Sequence, residues 1–411
     1  MGPLPTLAEL RWNKAGALSI AAQTALALAI LCNAMFVIHA QIALMTRPTG
    51  IDERDIFYIR SSLIGDHGTW AAQEQADVAA LRSAQGVADA YVTNSVPLTN
   101  SGGGVPVSLR ADQIQPNTMA AIYLAGGDAL RTLDLRLVAG RDFRPDEIGD
   151  YDREAPGAVR GPGAVIVTQA LANMLFPDGS ALGRAIFFIP GAPLPSRIVG
   201  IVQRLQVPWT TSSGWGSTFS EDSILTPARL IYKDVVYVVR ARPGEVPAAE
   251  KSAVTALLAN DRMRIIDGPY TMTQTREYAY RDEWGFSVFL AVITWFLLGV
   301  TAAGIVGLTS YWVSRRRRQI GIRRALGATR GAIVWYFLGE NLLIAAAGVL
   351  AGTCLTIVLN LWIVSAFGMP HIPAGYVAAG IVALLLLGQL AALWPAWRAA
   401  SIPPAIAARS A

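Results

Sequence analysis

The sequence predicts an integral membrane α-helical protein in which four transmembrane helices carry one large extracytoplasmic α+β domain. Three observations predict it. The 411 residues are 53% hydrophobic with a mean hydropathy of +0.39, more apolar than an ordinary soluble chain of this size. Two long segments carry almost no charge: Phe286–Trp312 is 27 residues without one, and between Gly331 and Trp397 only Glu340 is charged. Between those segments lies RRRRQIGIRRALGATR, Arg315–Arg330, a basic stretch that cannot rest in hydrocarbon and so belongs to a cytoplasmic loop.

At about 20 apolar residues per crossing, the spans fall at 17–40, 285–313, 332–365 and 376–397. Gly368, Pro370, Pro373 and Gly375 mark a short turn over 366–375. That turn has no formal charge, whereas the loop before the third span holds seven arginines. The positive-inside rule therefore places the 1–16 stub, the 314–331 helix and the 398–411 tail in the cytoplasm, with 41–284 and the turn outside. Charge supports the division: 41–284 holds 23 basic and 27 acidic residues, and the three cytoplasmic segments together hold 11 basic and one acidic. The net charge of +5 is thus an orientation signal and not a nucleic-acid footprint. Arg11, Lys14 and the apolar run after them also fit a secretory signal peptide, but that run is longer than an h-region of about 7–15 residues. It also carries Ala17, Ala21, Ala25, Ala29 and Asn33 on one helix face, which suits close packing in lipid.

Within the outer domain, Ala164–Val167, Ala185–Ile189, Ile198–Val202 and Asp234–Arg240 read as strands. Ala71–Ser83 and Ala248–Asn260 read as helices, the second with Val254, Leu257 and Leu258 on one face. Both cysteines, Cys32 and Cys354, fall in spans and read as small apolar fillers. About 240 residues suffice for the domain to bury its own core.

The sequence contains no GxxxxGK[ST] phosphate loop, no HExxH and no paired-cysteine zinc spacing. No cofactor or metal is expected in this chain, nor a catalytic centre. Of the three histidines, His39 and His371 lie at membrane edges and His67 in the outer domain. Glu340 stands out, because a carboxylate inside a span costs about 2.5–3.5 kcal/mol at mid-bilayer and less near the interface. It reads as a partner of Arg330 or another loop arginine, or as a strut that fixes the loop helix to the third span. A proton carrier would call for a second intramembrane carboxylate. Arg315–Arg318 read as orientation anchors. Ile320, Arg323, Arg324 and Gly327 recur at helical spacing and read as a contact face. Gly299, Ala303 and Gly307 in the second span, and Gly348 and Gly352 in the third, form small-residue steps that serve either internal helix packing or a homodimer seam.

RRRRQIGIRRALGATRGAIVWYFLGENLLIAAAGVLAG resembles the signature of the FtsX/MacB-like ABC transporter permease family, with its IGIR-x-ALGA helix followed by a span with an early Glu. WPAWRAASIPPAIAAR resembles the family's ending. LVAGRDFRPDE, AVIVTQALANMLFPDGSALGRAIFF and RIVGIVQ resemble its periplasmic core. The resemblance implies a bacterial inner-membrane permease with both termini cytoplasmic and a periplasmic domain of two lobes, one inserted at about 117–215. It implies pairing with a second permease copy or paralogue, and a separate ATPase that binds the ATP and Mg²⁺. A periplasmic adaptor and an outer-membrane channel are further partners it allows. It maps Ile320, Gly321, Arg323, Arg324, Ala325, Leu326, Gly327 and Ala328 onto the coupling helix that docks on the ATPase, and Glu340 onto the Glu that follows. The insertions Asp150–Gly163 and Trp209–Glu221 depart from the pattern. A signalling or cell-wall-hydrolase-regulating scaffold of the same fold is the alternative, distinguished by whether a client's location changes with ATP. An integral-membrane enzyme would require a catalytic cluster in the outer domain.

Overall fold

A computed structural model describes residues 14–65, 70–152, 161–188, 194–210, 219–367 and 370–401. Most of the N-terminal stub, His67, Gly368, the ending IPPAIAARSA, and parts of the two insertions and of the expected strand Ala185–Ile189 lie outside the described residues. The chain divides into two compact units, Leu44–Asp282 and the helical remainder.

In chain order, α1 (Lys14–Met45) is followed by β1 (Ile56–Leu63), α2 (Trp70–Ser83), β2 (Val87–Thr93), β3 (Gly103–Val107), β4 (Thr118–Leu124), α3 (Ala129–Leu133) and β5 (Leu137–Gly140). Next come β6 (Gly149–Asp152), β7 (Ala164–Thr168), α4 (Gln169–Leu175), β8 (Ala185–Ile186), β9 (Ser196–Val202), β10 (Ser223–Thr226), β11 (Ala228–Ile231) and β12 (Asp234–Ala241). The chain closes with α5 (Val246–Asn260), β13 (Arg264–Thr271), α6 (Met272–Ala279), α7 (Arg281–Arg315), α8 (Arg317–Ala325), α9 (Arg330–Phe367) and α10 (Ala374–Ala400).

The Leu44–Asp282 unit is built on two sheets. One is antiparallel, in the order β13-β1-β12-β2; the other is mixed, in the order β3-β4-β10-β7-β9-β5, with β8 beside β9. A parallel pair, β6 and β11, makes a separate ribbon. The first sheet is covered on both faces, which is why DVVYVVR reads as a continuous apolar run. Its period of two sorts the side chains. Phe57, Ile59, Val92, Val235, Tyr237 and Val239 meet Leu81 of α2 and Ala249, Ala253 and Leu257 of α5. Ile56, Tyr58, Tyr91 and Val238 meet Ala121, Tyr123, Ile166, Val202 and Leu225 of the second sheet. Residues of α4 cover the second sheet's far face.

Two details differ from expectation. The strands of the second sheet run from Gly103 to Thr226, wider than 117–215, because β3 and β10 complete the sheet around β4. Both sheets also share one apolar cluster, so a division into lobes is not a division of the core. In α5 the buried stripe is Ala249, Ala253 and Leu257. Val254 is only partly buried and Leu258 is exposed, because small residues allow the helix to lie close on the sheet.

One buried acid gives a pH-dependent stability. Glu74 on α2 is 8% exposed, and its Oε2 has no hydrogen-bond partner among the described residues. Burial pushes its carboxyl up to about 8, with Asp150 and Asp77 adding to the rise against Arg229. The folded state therefore holds this proton more tightly than the unfolded chain. Its contribution is fully present below the ordinary carboxylate range and is lost as pH rises to about 8. At about 1.4 kcal/mol per pKa unit, Leu44–Asp282 expressed alone should lose on the order of 2–4 kcal/mol between pH 5 and 8 in urea melts. Glu74→Gln should flatten that slope and raise stability at pH 8.

The helical unit contains, among the described residues, four helices long and apolar enough to cross a membrane: α1, α7, α9 and α10. Helix α1 packs closely on α9. A Cβ on Gly348 would lie 2.7 Å from the Ala21 carbonyl oxygen, and one on Gly352 would lie 2.9 Å from Ala25 Cα. Asn33 Nδ2 donates to the Thr356 carbonyl at 3.3 Å, and Asn341 Nδ2 on α9 donates to the Gly388 carbonyl of α10 at 3.0 Å. The glycine step in α9 is thus occupied within the chain. Gly299, Ala303 and Gly307 are exposed, and among the described residues nothing lies within 4 Å of a Cβ at either glycine.

Candidate functional site

The basic stretch breaks into two helices. Helix α7 ends at Arg315, and Arg316 turns the chain into α8 with its carbonyl accepting from Ile320 N at 3.0 Å. Helix α8 stops because Gly327 adopts φ +94°, a left-handed conformation that glycine adopts without cost. There Gly327 N donates to Arg324 O at 3.1 Å and Ala328 N to Arg323 O at 3.0 Å, the paired bonds of a Schellman stop. Thr329 Oγ1 then accepts from Ala332 N at 3.2 Å and opens α9. The ALGAT segment is therefore a helix stop and a helix start that fix the exit angle of α8.

One side of α8 is locked to the bundle. Ile320 is 5% exposed and joins Val313, Ile333, Val334, Phe337, Ala396 and Ala399 in one cluster, and Gly321 beside it is buried. Arg316 Nη1 donates to Glu340 Oε2 at 3.0 Å, with the Glu340 side chain 3% exposed, and lies 3.4 Å from the Tyr336 hydroxyl. Arg324 Nη1 donates to the Ala400 carbonyl at 3.0 Å, a cation on the negative end of α10. Arg323 lies over the Tyr336 ring at 4.9 Å. The other side of α8 is open: Ile322 is 54% and Leu326 83% exposed, and Arg317, Arg318 and Ala325 are exposed as well. Ile322 and Leu326 are four residues apart on one helical face.

This arrangement corrects the sequence reading at three positions. Ile320, read as part of a contact face, is buried inside the chain as an internal anchor. Glu340 pairs with Arg316, one of the loop arginines expected for it, so Arg316 is more than an orientation anchor. Arg324 is engaged by the end of α10. Sequence reasoning missed Ile322, although its i,i+4 spacing from Leu326 could have found it. It also missed Arg316, whose pairing depends on the break after Arg315 and has no periodic signature. Arg315 Nη1 donates to the Tyr311 hydroxyl one turn back in α7 at 3.0 Å.

Four helices long and apolar enough to cross a membrane, joined to a two-sheet α+β unit, define a membrane-protein class. The MacB-like periplasmic core domain model matches residues 19–257, and the FtsX-like permease C-terminal model matches 291–404. The chain belongs to the MacB/FtsX-like ABC transporter permease family. It is 25% identical over 335 residues to the macrolide export ATP-binding/permease protein MacB of Chromobacterium violaceum, covering 80% of this chain and 47% of that protein. It is 25% identical over 323 residues to the uncharacterized ABC transporter permease YknZ of Bacillus subtilis, covering 74% and 73%. The chain spans about half the length of the MacB proteins it matches. The solved periplasmic region of MacB from Actinobacillus actinomycetemcomitans overlays 57% of this chain and 97% of its own, at 14% identity and TM-score 0.33, a score that by itself decides nothing.

Proposed function

We propose that this chain is the permease subunit of a dimeric ABC transporter in the bacterial inner membrane. A separate cytoplasmic ATPase holds ATP and Mg²⁺, and its closure is delivered through α8 to the outer unit, which exports or extracts a substrate on that side. Both termini are cytoplasmic in this reading. The observation that carries it is the two-sided build of α8, with one face fixed by Ile320, Arg316–Glu340 and Arg324, and the other presenting Ile322 and Leu326. A helix that must transmit a push needs both faces. A lone membrane anchor would need neither the Schellman stop nor the buried ion pair. Export by the MacB relatives supports an outward-acting substrate step, and exposed Gly299, Ala303 and Gly307 supply a face for the second permease copy.

Truncating a central interface anchor costs about 2 kcal/mol or more, and a buried aspartate costs further. Leu326→Asp should therefore strip the ATPase from the purified full chain while the chain still inserts. Arg315→Ala should leave docking unchanged. Full ATPase co-purification and ATP turnover with Leu326→Asp would refute docking through α8.

A further inference from the structure

Where the chain enters and leaves the Leu44–Asp282 unit, both passages are tied together by two residues, Arg276 through its side chain and Gln206 through its backbone and its side chain. The first tie is Arg276 on α6. Its Nε donates to Glu53 Oε2 at 2.9 Å, its Nη2 to Glu53 Oε1 at 2.5 Å, and its Nη1 to the Met45 carbonyl at 2.7 Å. Met45 is the last residue of α1, so the guanidinium grips the C-terminal end of that helix, where a cation is favoured. Thr49 Oγ1 donates to Glu53 Oε1 at 2.5 Å. Burial pushes the Glu53 carboxyl up, but the Arg276 and Thr49 hydrogen bonds outweigh it and hold the group below its ordinary range.

The platform that carries Arg276 is rigid. Helix α6 starts in a capping box between Thr271 and Gln274. Thr271 also pairs with Phe57 of β1, and Met272 is fully buried in the cluster shared by the two sheets. Two residues after α6, the chain continues into α7.

The second tie is Gln206, which is 3% exposed. Its backbone N donates to Thr49 O at 2.8 Å, on the passage that leaves α1. Its Nε2 donates to the Tyr280 hydroxyl at 3.0 Å, on the passage that enters α7. Its carbonyl accepts from the Tyr123 hydroxyl at 2.6 Å, and Tyr123 lies in β4 of the second sheet. One residue thus joins both passages to the sheet that is inserted between β2 and β12.

We infer that Arg276 and Gln206 form the junction through which displacement of α1 and α7 reaches the second sheet as a single movement. The inference rests on the proposed coupling to an ATPase. Arg276 keeps the two passages from sliding past each other, and Gln206 hands their common motion to β4. The planar fork of Arg276 suits this role because it holds a carboxylate and a carbonyl at once, which an ammonium on a flexible stem does not reproduce.

The test uses the full chain with its co-purified ATPase in nanodiscs, and compares amide exchange in β4 and β10 between the nucleotide-free and the ATP–vanadate-trapped states. Wild type should show a trapping-dependent change in both strands. Arg276→Gln and Tyr123→Phe, the second removing the hydroxyl that reaches the Gln206 carbonyl, should lose that change while keeping wild-type ATP turnover and wild-type exchange in the nucleotide-free state. Arg276→Lys should lose it too, which separates fork geometry from charge. Retention of the change in these variants overturns the junction and leaves the coupling reading standing. Raised exchange already in the nucleotide-free state assigns the residues to fold stability and overturns the junction equally. A wild-type complex with no trapping-dependent change overturns the coupling reading, and the junction with it.

Discussion

Arg264→Met is expected to be among the most damaging single substitutions in the outer unit, costing about 3–5 kcal/mol. Arg264 and Asp77 face each other with both side chains 0% exposed, through two bonds of 2.9 Å each. The Tyr237 hydroxyl and Asn260 Nδ2 each donate to the same carboxylate at 2.6 Å. Removing the guanidinium strands a fully buried carboxylate with only neutral donors around it. Domains of this size are stable by only about 5–15 kcal/mol, so the loss should appear as a large drop in the urea midpoint of Leu44–Asp282. Asp77→Leu combined with Arg264→Met should recover most of it, because a well-packed apolar pair avoids the desolvation cost that the ion pair only offsets. A double variant no better than the single one would mean that the pair, and not the stranded charge, supplies the stability.

Gly352→Leu should be the corresponding lesion in the helical unit. A Cβ there would meet Ala25 Cα and the Ala25 carbonyl, both at 2.9 Å, and Leu28 Cβ at 3.0 Å. These are backbone and near-backbone atoms that cannot swing aside, so α1 must move off α9. Overpacking of this kind costs about 1–3 kcal/mol, and the full chain in detergent should melt at lower temperature with a lower yield of folded protein. Gly299→Leu is the matched control: nothing lies within 4 Å of a Cβ there among the described residues. It should leave the single chain's melt unchanged and weaken association between two copies. Unaltered melting of Gly352→Leu would mean that α1 and α9 do not pack in this register.

The contrast between those two glycines shows what the sequence could and could not disclose. Both lie in small-residue steps of the same spacing, and spacing alone does not say whether the neighbour is another helix of the same chain or a second copy. The four apolar helices, the strand Asp234–Arg240 and the basic helix were legible because each is a local periodicity or charge pattern. Asp77–Arg264 spans 187 residues and Arg276–Glu53 spans 223, and no local pattern reports which acid meets which arginine across a sheet. Ile320 was misread for a related reason. Helical spacing put it on a contact face, but only the break after Arg315 and the position of α10 decide that this face points into the chain. Leu326 escaped that ambiguity because it follows the last turn of α8, where Gly327 stops the helix and leaves the side chain clear.

The central claim is that the exposed face of α8 carries a cytoplasmic ATPase while its buried face carries the bundle. Its most direct test places a photo-crosslinking amino acid at position 326 or at position 320 of the full chain in native membranes, followed by identification of the adduct. The account predicts an adduct with an ATPase subunit from position 326, with a yield that changes when ATP–vanadate is added. From position 320 it predicts only adducts within the chain, to α9 or α10. An ATPase adduct from 320 with none from 326, or lipid adducts alone from 326, would contradict it.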